Sequence, residues 1–138
     1  MILVIPVVTA EAAYNNPPGK PTINGPSSGK AGTAYDFDFC SSDPDGDELY
    51  YCVDWGDGSG EVCLGSFPSN TCINESHTWA SDGKYTIKAK ARDINQAESD
   101  WATFSVSMPK NKIMDINLFL QRFFQRFPLF EKILNQIV

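Results

Sequence analysis

Between residues 33 and 108 apolar side chains alternate with polar ones in short runs, and each run halts at a cluster of Gly, Asp, Asn, Ser or Pro. A period of two puts one side of an extended segment indoors and the other in water, which is the pattern of strands. Segments 22–24, 33–40, 49–55, 61–65, 71–79, 84–93 and 102–108 read as seven strands. The turns between the later ones are "SDPDGDE", "GDGSG", "SFPSN", "ASDGK" and "DINQAESD". That pattern predicts an all-β fold of two packed antiparallel sheets. A chain of 138 residues has room for one such domain of roughly 90 to 100 residues with attachments at its ends.

Parity along each strand assigns the core. Tyr35, Phe37, Phe39, Tyr51, Val53, Trp55, Ile73, Tyr85, Ile87, Ala89, Ala91, Phe104 and Val106 are expected inside. Lys88, Lys90 and Arg92 alternate with them and form a basic outer stripe. The same parity puts Cys40 and Cys72 on outer faces. In "YYCVDWGDGSGEVC" a two-residue turn at Asp57-Gly58 would set Cys52 directly opposite Cys63. The expected disulfides are therefore Cys52–Cys63 and Cys40–Cys72. An even cysteine count suits an oxidising compartment. A zinc site fits poorly, because the cysteines stand 12, 11 and 9 apart without a Cys-x-x-Cys knuckle. Thiol chemistry fits no better, since a disulfide supplies no thiolate.

Charge divides the chain. Residues 1–108 hold six Lys/Arg against fifteen Asp/Glu, giving −9, whereas residues 109–138 hold five against two, giving +3. Residues 31–83 contain eleven acids and no Lys or Arg. Such a body repels phosphate backbones, which argues against nucleic acid as a partner. The start, "MILVIPVVTAEAAYNN", has an apolar run and an Ala-Glu-Ala arrangement; a secretion signal and a strand of the mature chain both fit it. Residues 1–16 are set apart as this segment, residues 17–108 as the sandwich and residues 109–138 as a tail. In the tail Ile116, Leu120, Phe123, Phe127, Phe130, Leu134 and Ile137 recur three or four apart among Gln, Arg, Lys and Asn. This is an amphipathic helix, kinked or split at Pro128, with an apolar stripe that also takes in Phe119. Its charged residues argue against a bilayer span; contact with its own sandwich, another copy or a membrane surface remains.

"DPDGDELYYCVDWGDGSGE", "SHTWASDGKYTIKAKARD" and "AESDW" resemble the PKD domain, the polycystic-kidney-disease repeat, in the form found in archaeal and bacterial surface proteins. The resemblance covers about residues 17–108. It implies an immunoglobulin-like sandwich, extracellular and non-catalytic, with adhesive, spacer or protein-contact duties, often beside secreted hydrolases. Trp55 stands at an aromatic position of the family's "WDFGDG" motif, and Val53 replaces the Trp more usual there. The cysteine pairs lie outside the general family pattern. "MPKNK" with the aromatic segment after it is similar to a carboxy-terminal ending of such surface proteins.

The residues that bear on chemistry are few. Asp43, Asp45 and Asp47 alternate in "SDPDGDE" and offer oxygen donors to calcium, although the spacing departs from an EF-hand and the same residues shape a turn. Asp54 and Asp57 suit backbone bonding in a hairpin better than acid/base work. His77, the single histidine, is expected to be buried and structural. Asn74 opens the glycan-acceptor pattern "NES". Trp101 and Tyr50 suit either sugar stacking or rim packing. Together these predict a surface protein that is no enzyme and acts through protein contact or self-assembly, as a filament subunit or adhesin, without a cofactor unless calcium binds. The alternative is a substrate-binding accessory module of a secreted hydrolase, with a glycan as partner.

Overall fold

The computed structural model describes residues 14–110 and 116–137. Its strands are β1 (Thr22–Asn24), β2 (Ala34–Cys40), β3 (Leu49–Asp54), β4 (Glu61–Phe67), β5 (Cys72–Thr78), β6 (Gly83–Asp93) and β7 (Ala102–Met108). One sheet runs β1-β2-β5 and the other β4-β3-β6-β7, with every neighbouring pair antiparallel. Two helices follow, α1 (Ile116–Arg126) and α2 (Pro128–Ile137). The apolar run of residues 2–8 lies outside the described residues.

Alternation works as the sequence implies. Along β2, Phe37 and Phe39 are fully buried while Asp36 and Asp38 are exposed. The core joins Phe37, Phe39, Tyr51, Val53, Ile73, Ile87, Ala89 and Val106 with Leu49, Trp79 and Met108, which share the inward parity. Tyr35, Trp55, Tyr85 and Phe104 are only partly buried, against the expectation. For two of them the phenol explains it. Tyr85 donates to Ser81 O (2.7 Å) and Tyr35 accepts from the Lys30 amide (2.7 Å), so each ring packs inward while its hydroxyl stays at the rim. Tyr51 solves the same problem inside. Its hydroxyl donates to Thr71 O (2.6 Å) and accepts from the Ser41 amide (2.9 Å), and burial raises its pKa.

Both expected disulfides are present, Cys40–Cys72 joining β2 to β5 and Cys52–Cys63 joining β3 to β4. Each links residues directly opposite in register. The two-residue turn at Asp57-Gly58 is corrected: the strands end at Asp54 and Glu61, and a six-residue loop joins them. Register survives because this loop is centred on the same point, so Cys52 still faces Cys63 and Val53 faces Val62. The loop is longer because its aspartates bond its own amides in place of ladder partners. Asp54 accepts from Gly56 N (2.9 Å) and Asp57 from Ser59 N (3.0 Å). Gly56 has φ +74° and lies on β6, where a Cβ would stand 2.4 Å from Thr86 O, so only glycine fits.

The tail splits at Pro128, as its ring requires. Phe127 N donates to Phe123 O (3.0 Å) at the close of α1, and Pro128 opens α2. No helix among the described residues is long and apolar enough to cross a membrane.

Candidate interaction surfaces and the family of the chain

The β3–β4 loop brings Asp57 to β5. Its Oδ2 stands 2.8 Å from His77 Nε2, and the imidazole stacks on Trp55 at 4.5 Å, with Trp79 edge-on at 4.8 Å. His77 is half-buried, not buried as its parity suggests, because β5 is an edge strand and the ring is flanked only by Trp55, Trp79 and Asp57 among the contacts described. Partial burial of Asp57 opposes its charge, but bonds from Ser59 and the contact with His77 outweigh that and lower its pKa from 3.8 to about 2. A depressed carboxylate stabilises the fold above its ordinary pKa and loses that contribution as pH falls through the folded value. Asp57→Asn is therefore expected to flatten the loss of thermal stability between pH 3.8 and about 2; melting curves across that range with unchanged slope would count against this role. Both Asp54 and Asp57 are engaged with loop amides, as hairpin aspartates are.

The two outer faces differ in charge. On the β1-β2-β5 face, Asp36 and Asp38 are exposed, and Asn74 Nδ2 donates to Asp38 Oδ1 (2.8 Å). The glycan-acceptor asparagine thus lies exposed on β5. On the other face, Lys88, Lys90 and Arg92 stand opposite Asp54, Cys52 and Tyr50. Lys90 is the member of this stripe whose charge is compensated among the described residues. Lys90 pairs with Glu98 (2.9 Å) and Glu61 (3.6 Å), bonds that raise its pKa, and lies 4.8 Å over the Trp101 ring; Arg92 lies 5.4 Å over Tyr50. Those two aromatics already carry cations, which favours the rim-packing reading of them.

The acidic loop proves to be one part of a larger network. Asp43 is 7% exposed and its Oδ1 accepts from the amides of Asp45 (2.8 Å) and Asp47 (3.3 Å), so it shapes the turn. Asp45 turns outward and accepts from Asn16 N and Nδ2, bonds that lower its pKa. Asp47 accepts from Asn95 (2.7 Å), Asn95 donates to Asn15 (2.8 Å), and Asn15 donates to the fully buried Asp93 (2.7 Å). The segment before β1, the β2–β3 loop and the β6–β7 loop are thereby tied together. Asp93 was missed in the sequence although its parity follows Ala89 and Ala91 inward, which was the available signal. Among the described residues Asp43 Oδ2 is buried without a hydrogen-bond partner. The side chains of Cys52, Glu61 and Cys63 also gather within 4.8 Å, but both sulfurs are joined in the disulfide and offer no thiolate.

The tail presents Phe119 at 54% exposure, with Leu120 and Phe127 also open, while Phe123 is half-buried against Phe119, Phe124 and Phe127. The side chains of Phe130 and Leu134 lie outside those the structure describes.

Two antiparallel sheets in the orders β1-β2-β5 and β4-β3-β6-β7, closed around one apolar core and faced with polar side chains, define an immunoglobulin-like sandwich. The family described as the PKD domain matches residues 15–108. The chain is 43% identical to the PKD domain of an M14-like peptidase from a Thermoplasmatales archaeon, with a TM-score of 0.68, over 70% of this chain and 100% of that one. It therefore belongs to the PKD family. The PKD domain of the human VPS10 domain-containing receptor SorCS2 is 16% identical, with a TM-score of 0.46, over 80% of this chain and 92% of that one. A comparison with curated proteins returned no match. PKD domains are generally non-catalytic modules of extracellular proteins that act through protein or sugar contacts, and two disulfides suit that setting.

Proposed function

We propose that this chain is a surface protein whose sandwich works by contact with other proteins, copies of itself included, and whose tail attaches it. The observation that carries this reading is the exposed apolar stripe of α1 and α2. Among the described residues the core of the sandwich comes entirely from residues 23–108, so that stripe is not needed to close it. The outer edges of β4 and β5 lack a strand neighbour among the described residues and offer routes for strand addition between copies. Sedimentation of the oxidised full chain over a range of concentrations, with electron microscopy of stained samples, tests the contact reading. Oligomers or filaments support a structural role. A monomer throughout shifts the weight to an accessory module beside a secreted hydrolase, the reading favoured by similarity to a peptidase's PKD domain.

We propose calcium as a ligand of the acidic loop, residues 43–47. Asp43 supplies a buried oxygen with no hydrogen-bond partner among the described residues, and Asp45 and Asp47 alternate with it in the same loop. Among the described residues Asp43 and Asp93 form no ion pair with Lys or Arg. The ion would neutralise carboxylates of the β2–β3 loop and brace it. EDTA is then expected to lower the melting temperature reversibly by several degrees, and Asp43→Asn to remove the difference; identical melts with and without EDTA would exclude the ion.

A further inference from the structure

The two halves of the tail share a design. In α1, Phe119 and Leu120 are exposed, and Phe127 follows at its end; in α2, Leu129 and Ile133 are exposed at 74% and 53%. Arg122, Arg126 and Lys132 are exposed beside them. Helical spacing places Arg122 and Arg126 along the flank of the Phe119–Phe123–Phe127 ridge, and Lys132 beside Leu129. The helices have 11 and 10 residues, roughly 15 Å each at 1.5 Å per residue, about half of a hydrocarbon core. Neither spans a bilayer, yet both expose more apolar surface than water favours.

Three occupants can be weighed by chemistry. The sandwich of another copy offers charge of the right sign but a poor apolar match, since its exposed large apolar side chains, Tyr14, Val62, Ile94 and Trp101, are scattered over different loops and strands. A second tail matches in apolarity but brings Arg122, Arg126 and Lys132 against their own copies; residues 109–138 carry five basic residues and two acidic ones. An anionic lipid surface satisfies both requirements, with acyl chains for the apolar stripe and phosphates for its basic flank. The body's charge of −9 is repelled by the same surface, which leaves the tail as the part that approaches.

We propose that α1 and α2 form an interfacial anchor lying flat on an anionic lipid bilayer, with Phe119, Phe127, Leu129 and Ile133 in the acyl region and Arg122, Arg126 and Lys132 among the phosphates. The inference rests on the reading of the tail as the attachment segment and names the surface it attaches to. The break at Pro128 lets each half settle independently on a flat surface.

The test is flotation of the oxidised full chain with vesicles of phosphatidylglycerol and phosphatidylcholine in equal parts, beside pure phosphatidylcholine. The chain is expected to float with the anionic vesicles and to lose that binding in high salt. Reversal of all three basic residues (R122E/R126E/K132E) is expected to weaken binding by at least on the order of a hundredfold, and F119E/F127E to abolish it while circular dichroism of the sandwich is unchanged. Equal binding to neutral vesicles, or absence from both kinds, overturns the proposal. So does an oligomer in lipid-free buffer that F119E/F127E disperses, because the stripe then belongs to a second copy. Self-association through the sandwich is read separately, by sedimentation of F119E/F127E without vesicles.

Discussion

Trp79→Ala is expected to lower stability by about 3–5 kcal/mol, a large part of the margin of a small domain. Trp79 is fully buried and is the largest side chain in the core. It links both sheets' rings at one end: Phe37 at 5.7 Å, Tyr85 at 5.6 Å, Trp55 at 6.0 Å and His77 at 4.8 Å. The indole nitrogen donates to Trp55 O (3.2 Å), so truncation also takes a donor from the β3–β4 loop. The backbone of Trp79 stays bonded to Gly32 N (2.8 Å) in either case, which makes the loss one of side-chain packing. Trp79→Phe keeps part of the ring contact and loses the donor, and is expected to cost about half as much. Urea unfolding followed by far-ultraviolet circular dichroism checks both. A loss below about 1 kcal/mol for the alanine variant would mean that the neighbouring rings close the space and that the cluster does not depend on Trp79.

The sandwich was legible because its signal is local. Alternation in "AYDFDFC" and "GKYTIKAKARD" needs no knowledge of what lies across the core, and all seven strands appear within a few residues of their expected bounds. The disulfides follow from parity and register, and the longer β3–β4 loop leaves Cys52 opposite Cys63, because register depends on the centre of a hairpin and not on the length of its loop. Misreadings arose where the outcome depends on remote partners. Whether Tyr35 or Tyr85 is fully buried depends on where its hydroxyl finds an acceptor or donor. The pairing of Asn15 with Asp93 joins residues 78 apart, and no periodicity encodes it. Parity points His77 inward, but β5 is an edge strand, and the side chains against it, Trp55 and Asp57, come from the opposite sheet's loop.

Replacing Cys40 and Cys72 together by serine is expected to cost roughly 3.5 kcal/mol, slightly more than the roughly 3 kcal/mol for Cys52 with Cys63. The order follows from loop length, with separations of 32 and 11 residues. In the chain-entropy model the longer closed loop removes more freedom from the unfolded chain. Location works in the same direction. Cys40–Cys72 fastens the strand pair β2–β5, the longer ladder of the three-stranded sheet, whose other pair spans only three residues. Cys52–Cys63 fastens a β3 that also pairs with β6 along six residues and would stay in place without it. Urea unfolding of the two double-serine variants beside the oxidised parent decides the matter. The expected ranking places the Cys40/Cys72 variant lowest. If the Cys52/Cys63 variant were the weaker, the β3–β4 loop would be the part that depends on covalent support. The three glycines at positive φ in that loop, Gly56, Gly58 and Gly60, which cost more backbone entropy to order than other residues, would then be the reason.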